Sequence, residues 1–270
     1  MAIAQAAPQA PIVDAIARSQ RAARRDFMLK FSLTWAVIIG ALGLVIYATG
    51  NADPEFTVTW GPFILAGIGL TIFICLTSIT AATILAVLGA LGRLSVNPFL
   101  NGLASLYVSL VRGTPLIVQI YFIFYALPLM GIVLDPIPAG IIALAFNYGA
   151  YMTEIFRAGI QAIPRGQIEA AHSIGMTDRL TMRRVVLPQA IRIVTPAIGN
   201  EFIAMIKDSA LVSLMGVQEL LWRAQRVGQS HFRTLETLLL AALVYWVLTL
   251  AFSLLQDRLE KRMAESDRRI

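Results

Sequence analysis

Residues Arg165-Gly166-Gln167-Ile168-Glu169-Ala170-Ala171-His172-Ser173-Ile174-Gly175 lie in a polar, arginine-rich stretch between two long apolar runs. Most of the chain suits lipid, whereas this stretch suits water. Pro164 fits the first turn of a helix, where a missing N–H costs nothing. Arg165 to Ile174 reads as helical, and Gly175 suits the left-handed residue that stops a helix. Thr177 is placed to cap a second short helix over Asp178–Val186. That helix is predicted to stop near Pro188, because the residue before a proline avoids helical angles. The first helix is then about 15 Å long at 1.5 Å per residue, too short to be stable alone. It needs a surface to hold it. Ala170 and Ala171 let another backbone approach, and Ile168 and Ile174 offer apolar contact. Glu169 sits where the helix dipole favours a carboxylate, and it can meet an arginine of a partner.

Outward from this stretch the chain reads as membrane. Hydrophobic residues make up 57% and charged residues 14% of the sequence, and the mean hydropathy is +0.72. Soluble domains carry about 25% charged residues. Apolar runs near the length that spans a bilayer core of about 30 Å recur along the chain. The candidate spans are Phe31–Ala48, Phe63–Leu91, Pro115–Leu134, Ile137–Phe156, Ile193–Met215 and Leu238–Leu255. Strand-like alternation is absent over these lengths, which argues against a membrane barrel. The fold class is all-α: a polytopic helical membrane protein of about six spans.

Basic residues set the orientation. Arg18, Arg21, Arg24, Arg25 and Lys30 precede the first span, and Arg258, Lys261, Arg262, Arg268 and Arg269 end the chain. Both termini are therefore expected in the cytoplasm. Thr49–Pro62 and Asp135-Pro136, without basic residues, fall outside. A loop bracketed by Arg93 and Arg112 returns inside, as does the stretch holding Arg165, Arg179, Arg183 and Arg184. Gly216–Thr237 resists this rule: it carries Arg223, Arg226 and Arg233, yet its flanking spans force it outside, which suggests that it receives a partner. Residues 1–29 form a basic tail. Within it, Ile12–Lys30 fits either an amphipathic helix on the inner leaflet or an unstructured tail. Residues 30–49 form an added first span, retained as an anchor because its apolar run exceeds that of a cleaved signal. Residues 60–258 form the main membrane domain, with its loop at about 159–190, and 259–270 a cytoplasmic tail.

The net charge of +6 falls in loops between apolar runs, so it reads as topology rather than nucleic-acid binding. Cys75 lies inside a span as a buried thiol. His172 and His231 lie far apart without a carboxylate or cysteine cluster, so neither a metal site nor a catalytic constellation is indicated. No Gly-Lys pair occurs, hence no phosphate-binding loop of the ATPase type.

Charges inside the spans are the candidate solute path. Lys207, one of three lysines in the chain, and Asp208 sit mid-membrane, where each charge costs at least about 2.5–3.5 kcal/mol. Adjacent residues point about 100° apart on a helix, so they do not simply neutralise each other. They fit either contact with both ends of a zwitterion or structural pairing, with Glu154 or Glu201 as partners. Glu154 can pair with Arg157 one turn on. Asn147 and Gln119 fit interhelical hydrogen bonds or solute contact. Pro128 and Pro196 mark kinks.

Glu169-Ala170-Ala171, three residues, Gly175, nine residues, Val185, one residue and Leu187-Pro188 together resemble the cytoplasmic loop of permease subunits in binding-protein-dependent ABC importers. Val185 stands where that family usually has isoleucine. Arg112-Gly113-Thr114-Pro115, Asn147-Tyr148-Gly149-Ala150-Tyr151, Glu154-Ile155-Phe156-Arg157, Gly199-Asn200-Glu201-Phe202 and Lys207-Asp208-Ser209 are similar to permeases for polar amino acids. The resemblance covers about Trp60 to Arg262. It implies a five-span core in a bacterial inner membrane and makes the Phe31–Ala48 span an addition to that core. Its coupling helix would carry Glu169, Ala170, Ala171 and Gly175, with Leu187 and Pro188, and dock on a dimeric ATPase that holds ATP and Mg. It also implies a second permease subunit, identical or related, an extracytoplasmic solute-binding protein and a polar amino-acid solute. The alternative is an ion-coupled secondary amino-acid transporter, which needs internal repeats and its own ion site; no convincing repeat links the halves.

Overall fold

The computed structural model describes residues 10–48 and 53–267, and these form helices joined by turns, with no strand. Residues 1–9, 49–52 and 268–270, which include Arg268 and Arg269, lie outside the described residues. The chain divides into two units, residues 1–54 and residues 55–270. The first holds α1 (Ala10–Ala48), 39 residues long. It continues as helix from the basic segment into the apolar run, which selects the helical reading of the segment before Lys30. Its turns carry an Asp26–Lys30 ion pair at 2.7 Å and a ladder of Phe27, Phe31 and Trp35 rings about one turn apart.

The second unit is a bundle. α2 (Pro54–Leu65) and α3 (Gly67–Leu94) follow one another, so helix begins well before the expected Phe63. α3 buries Gly67, Thr71, Cys75, Ser78, Ala82, Ala86 and Gly89, a stripe at spacings of four, four and three, repeated. Its opposite face shows Phe73, Leu76, Ile84, Leu88 and Leu91. Small residues inside and large apolar ones outside invert the pattern of a soluble helix. Lipid is as apolar as leucine, so close backbone approach rather than burial of large side chains drives helix pairing. The partner is α6 (Pro136–Gln161), which forms with α3 the broadest helix contact of the molecule. At Gly89 a β-carbon would clash with the Thr153 side chain of α6, so glycine is what lets that side chain seat against α3.

The expected inner loop between Arg93 and Arg112 is instead α4 (Pro98–Arg112). Asn97 caps it by accepting from the Phe99 N–H at 2.9 Å, and Pro98 supplies the pre-set first turn. α5 (Leu116–Tyr121) continues as a π turn over Phe122–Ala126 and a 3-10 turn over Leu127–Met130. Gly131 at φ 84° ends it, short of the expected Leu134. α4 and the α5 segment meet at a 105° bend.

After α6 come α7 (Arg165–Ser173) and α8 (Asp178–Thr181). A π turn over Met182–Val186 leads into α9 (Leu187–Asp208), followed by a 3-10 turn over Ser209–Met215. The expected stop at Pro188 is overturned. Leu187 is helical and donates to Met182 O, and the wider π turn relieves the clash between a proline ring and the carbonyl four residues back. Thr177 stands at the cap position of α8 but makes no side-chain cap bond. Pro196 lies inside α9. α10 (Leu220–Ser230) and α11 (Thr234–Asp267) complete the bundle.

Pro54–Leu94 and Thr234–Met263 are long and apolar enough to cross a membrane, and the bent α4–α5 pair makes a third candidate. α6 and α9 carry Asn147, Glu154 and Arg157, and Glu201, Lys207 and Asp208, which lower their apolarity. All but Lys207, which is exposed, belong to the features described next.

Candidate functional site

A cleft of about 300 Å³ opens among α5, α6 and α9, lined by Thr114, Pro115, Asn147, Tyr148, Tyr151, Glu201 and Asp208. Glu201 and Asp208 are seven residues apart on α9, so the helical repeat places them on one face. Tyr148 Oη donates to Asp208 Oδ2 at 2.8 Å. Asn147 Nδ2 donates to Gln119 Oε1 at 3.2 Å. Gln119 Nε2 in turn donates to Val111 O at 2.8 Å and Thr114 O at 3.1 Å. The amides therefore hold the α4–α5 bend against α6 and give the cleft a fixed floor. Arg112 stands 5.2 Å over the Tyr151 ring, within electrostatic reach of Glu201.

The sequence-derived path residues separate. Asp208 and Asn147 line the cleft, and Gln119 supports it from behind. Lys207 is exposed on another side of α9 and forms no ion pair among the described residues. Glu154 sits in a separate knot: Arg157 pairs with it at 2.6 Å and Arg93 at 3.1 Å. Arg93 also donates to Ser105 Oγ at 2.5 Å. This knot fastens α3, α4 and α6, and it contains the expected one-turn pair. Sequence reading passed over Tyr148, Tyr151 and Thr114 as cleft residues. The Glu201–Asp208 spacing was the signal that points to that face.

At the end of the bundle where α6 meets α9, α7 finishes in a Schellman motif. The Met176 N–H donates to Ala171 O at 3.1 Å and the Gly175 N–H to His172 O at 2.9 Å, with Gly175 at φ 82°. This meets the sequence expectation for Gly175. Ala171 is buried, turned toward the segment that follows, while Glu169 and Ala170 are exposed and Ile174 is 75% exposed. Leu187 and Pro188 are exposed as well, and Gln189 reaches back to Gln167 at 2.5 Å. α7 is thus fixed to the bundle by Ala171 and presents the other loop residues outward.

The opposite end holds a buried carboxyl that no local sequence pattern singles out. Glu219, fully buried in the loop before α10, accepts from the Trp222 N–H at 2.8 Å, Tyr245 Oη at 2.5 Å and Thr71 Oγ1 at 3.4 Å. Burial pushes its carboxyl above the usual carboxylate range, against the lowering effect of these bonds. The knot joins α3, α10 and α11 beside a small core of Ile64, Leu220, Ala224, Val227 and Ala241.

Residues 78–265 match the family described as binding-protein-dependent transport system inner membrane component. The L-cystine transport system permease protein TcyB of Bacillus subtilis (strain 168) is 43% identical over 203 residues, 75% of this chain and 87% of the relative. The arginine transport system permease protein ArtQ of the same strain is 37% identical over 219 residues, 80% of this chain and 100% of the relative. The crystal structure of an amino acid ABC transporter with histidines superposes at TM-score 0.75 and 39% identity, over 78% of this chain and 99% of that one. The inward-facing MetNI methionine ABC transporter, at TM-score 0.58 and 18% identity, shares the fold. A match over most of the chain, running through the helices that line the cleft, makes this protein a member of the binding-protein-dependent transport system inner membrane components, an ABC importer permease rather than an ion-coupled carrier.

Proposed function

We propose that this permease carries polar amino acids through the cleft between α6 and α9. The observation that supports this is the pairing of the Glu201 and Asp208 carboxylates on one face of a cleft sized for a small solute. The ammonium of an amino acid meets these carboxylates, and Thr114, Asn147 and Tyr151 form a polar rim for its other end. A zwitterion needs both kinds of group, and an apolar solute would leave the carboxylates unsatisfied.

The drive comes from outside the chain. ATP and Mg are held by a separate dimeric ATPase, which grips Glu169, Ala170, Ile174, Leu187 and Pro188 at the cytoplasmic face, with Ala171 and Gly175 shaping α7 from within. α7 joins the two helices that line the cleft. Glu201 lies 14 residues beyond Leu187 on α9, about 21 Å along the helix, so a small tilt at α7 is carried to the cleft. A second permease subunit, identical or related, completes the path. A solute-binding protein delivers from the outer side, and both termini face the cytoplasm. The switch is a bistable assembly that ATPase closure biases.

The test is uptake by the reconstituted complex. Uptake abolished by inactivating the nucleotide site of the ATPase supports this reading. Uptake that survives and follows a proton or sodium gradient removes it. Asp208→Asn should weaken solute-stimulated ATP hydrolysis about tenfold if Asp208 meets the ammonium; unchanged solute dependence makes the residue structural.

A further inference from the structure

The end of the bundle opposite α7 holds a larger cavity, of about 620 Å³, between the start of α6 and the segment that leads into α10. Asp135 and Arg223 are its charged walls, and Leu70, Ile137, Pro138 and Val217 are apolar ones. Arg223 is pinned from behind. Its Nε donates to Gln218 O at 2.9 Å and its Nη1 to Phe63 O at 3.2 Å, and the guanidinium lies 4.9 Å over the Phe63 ring. Asp135 stands at the N-cap of α6, yet its side chain accepts no cap bond. The two charges line one cavity without pairing with each other, and neither forms an ion pair with another group among the described residues. A ligand that carries both signs fits that arrangement, since each of its ends finds a counter-charge.

The cavity is also in line with the solute cleft. Ile137 precedes Tyr148 by eleven residues, three turns of helix, so the α6 residues of the cavity and of the cleft share one face, about 16 Å apart. Between them on that face Gly140 packs against Val212 and Met215. An added β-carbon there would lie 3.1 Å from Val212 Cγ1 and 3.3 Å from Met215 Cε. Val212 and Met215 are buried, and they belong to the 3-10 turn that joins Asp208 of the cleft to Gly216 of the cavity. The same two chain segments therefore wall both spaces, with one packed contact between them. Resting on the amino-acid reading above, we infer that this cavity is a staging site for the zwitterionic solute, separate from the cleft. Asp135 takes the α-ammonium and Arg223 the α-carboxylate, while the apolar wall accepts varied side chains.

The experiment uses the permease–ATPase complex in nanodiscs, carrying Ile137→Cys. Cys75, the single native cysteine, is buried, so a methanethiosulfonate reagent reports on the cavity wall. The probe is the polar amino acid that the wild-type complex takes up with its binding protein, tried as L-arginine, L-glutamine and L-cystine before the rest. It should slow labelling several-fold at saturation, and its methyl ester and N-acetyl forms should not. Asp135→Asn removes only the charge. It should raise the half-protecting concentration about tenfold at an unchanged melting temperature. Arg223→Gln should do the same with a lowered melting temperature, because the Phe63 and Gln218 carbonyls lose their donor. Asp208→Asn should leave protection intact. No protection by an amino acid that is taken up would overturn the inference. So would protection that survives Asp135→Asn, or protection lost in Asp208→Asn, which places the bound solute in the cleft alone. A wild-type complex that takes up no polar amino acid would remove the reading of function itself, and the staging site with it.

Discussion

Gly67 and Leu220 meet backbone to backbone. A β-carbon on Gly67 would lie 2.7 Å from both the Cα and the N of Leu220. Neither atom can swing aside as a flexible side chain can. Gly67→Ala should therefore destabilise the protein by about 1–3 kcal/mol, read as a lowered melting temperature in detergent. Gly69, with nothing within 4 Å of its added carbon, is the control, and Gly69→Ala should be near neutral. Equal effects would mean that helix propensity rather than the close approach decides.

The buried carboxyl of Glu219 makes stability depend on pH. Its folded pKa is raised by burial above its ordinary 4.5. The stability it contributes is fully present below that value and is lost as pH rises through the folded value. Glu219→Gln keeps the shape and removes the titration. The variant should match the wild type in acid and gain on it as pH rises. Melting curves that run parallel across pH would show that the carboxyl does not titrate in this window.

Glu154 holds two guanidinium groups whose side chains are only 28% and 29% exposed. Glu154→Gln leaves both without a counter-charge. The expected loss is about 1–3 kcal/mol, below that for a fully buried pair because water still reaches the knot. Thermal melting checks it. A cost no larger than that of an exposed pair would mean that the arginines find other acceptors.

Glu169→Lys and Gly175→Val act on the proposed ATPase grip differently. Glu169 is exposed, so its replacement should leave melting unchanged and cut coupled uptake about tenfold or more. Gly175 sits at φ 82°, so valine should distort the Schellman turn and lower uptake together with the stability of the loop. Membrane insertion should persist in both. Normal uptake in both variants would remove α7 as the coupling element.

Much of this architecture is legible in sequence because its determinants are local. Gly175 announces the end of α7 through an unfavourable φ that only glycine accepts freely. The Glu154–Arg157 pair follows from helical spacing alone. α4 was hidden by its own amphipathic character: its apolar residues do not form a continuous run, and Arg93 and Arg112 at its flanks read as loop markers. The Asn97-Pro98 start signal was there to be used. Pro188 misled for a physical reason, since a π turn admits proline where a regular helix would not. Glu219 and the Tyr148–Asp208 bond depend on helices distant in sequence, and no local pattern reports such a meeting.

The stripe of small residues between α3 and α6 carries one more consequence. Two helices seated groove against groove, with glycine at the tightest point, have no room to shear past each other. They act as a fixed plank. The breaks in regular helix fall elsewhere, on α9. That helix enters through a π turn, contains a proline and leaves through a 3-10 turn. α9 is the jointed member of the bundle, and the Glu201 and Asp208 carboxylates ride on it.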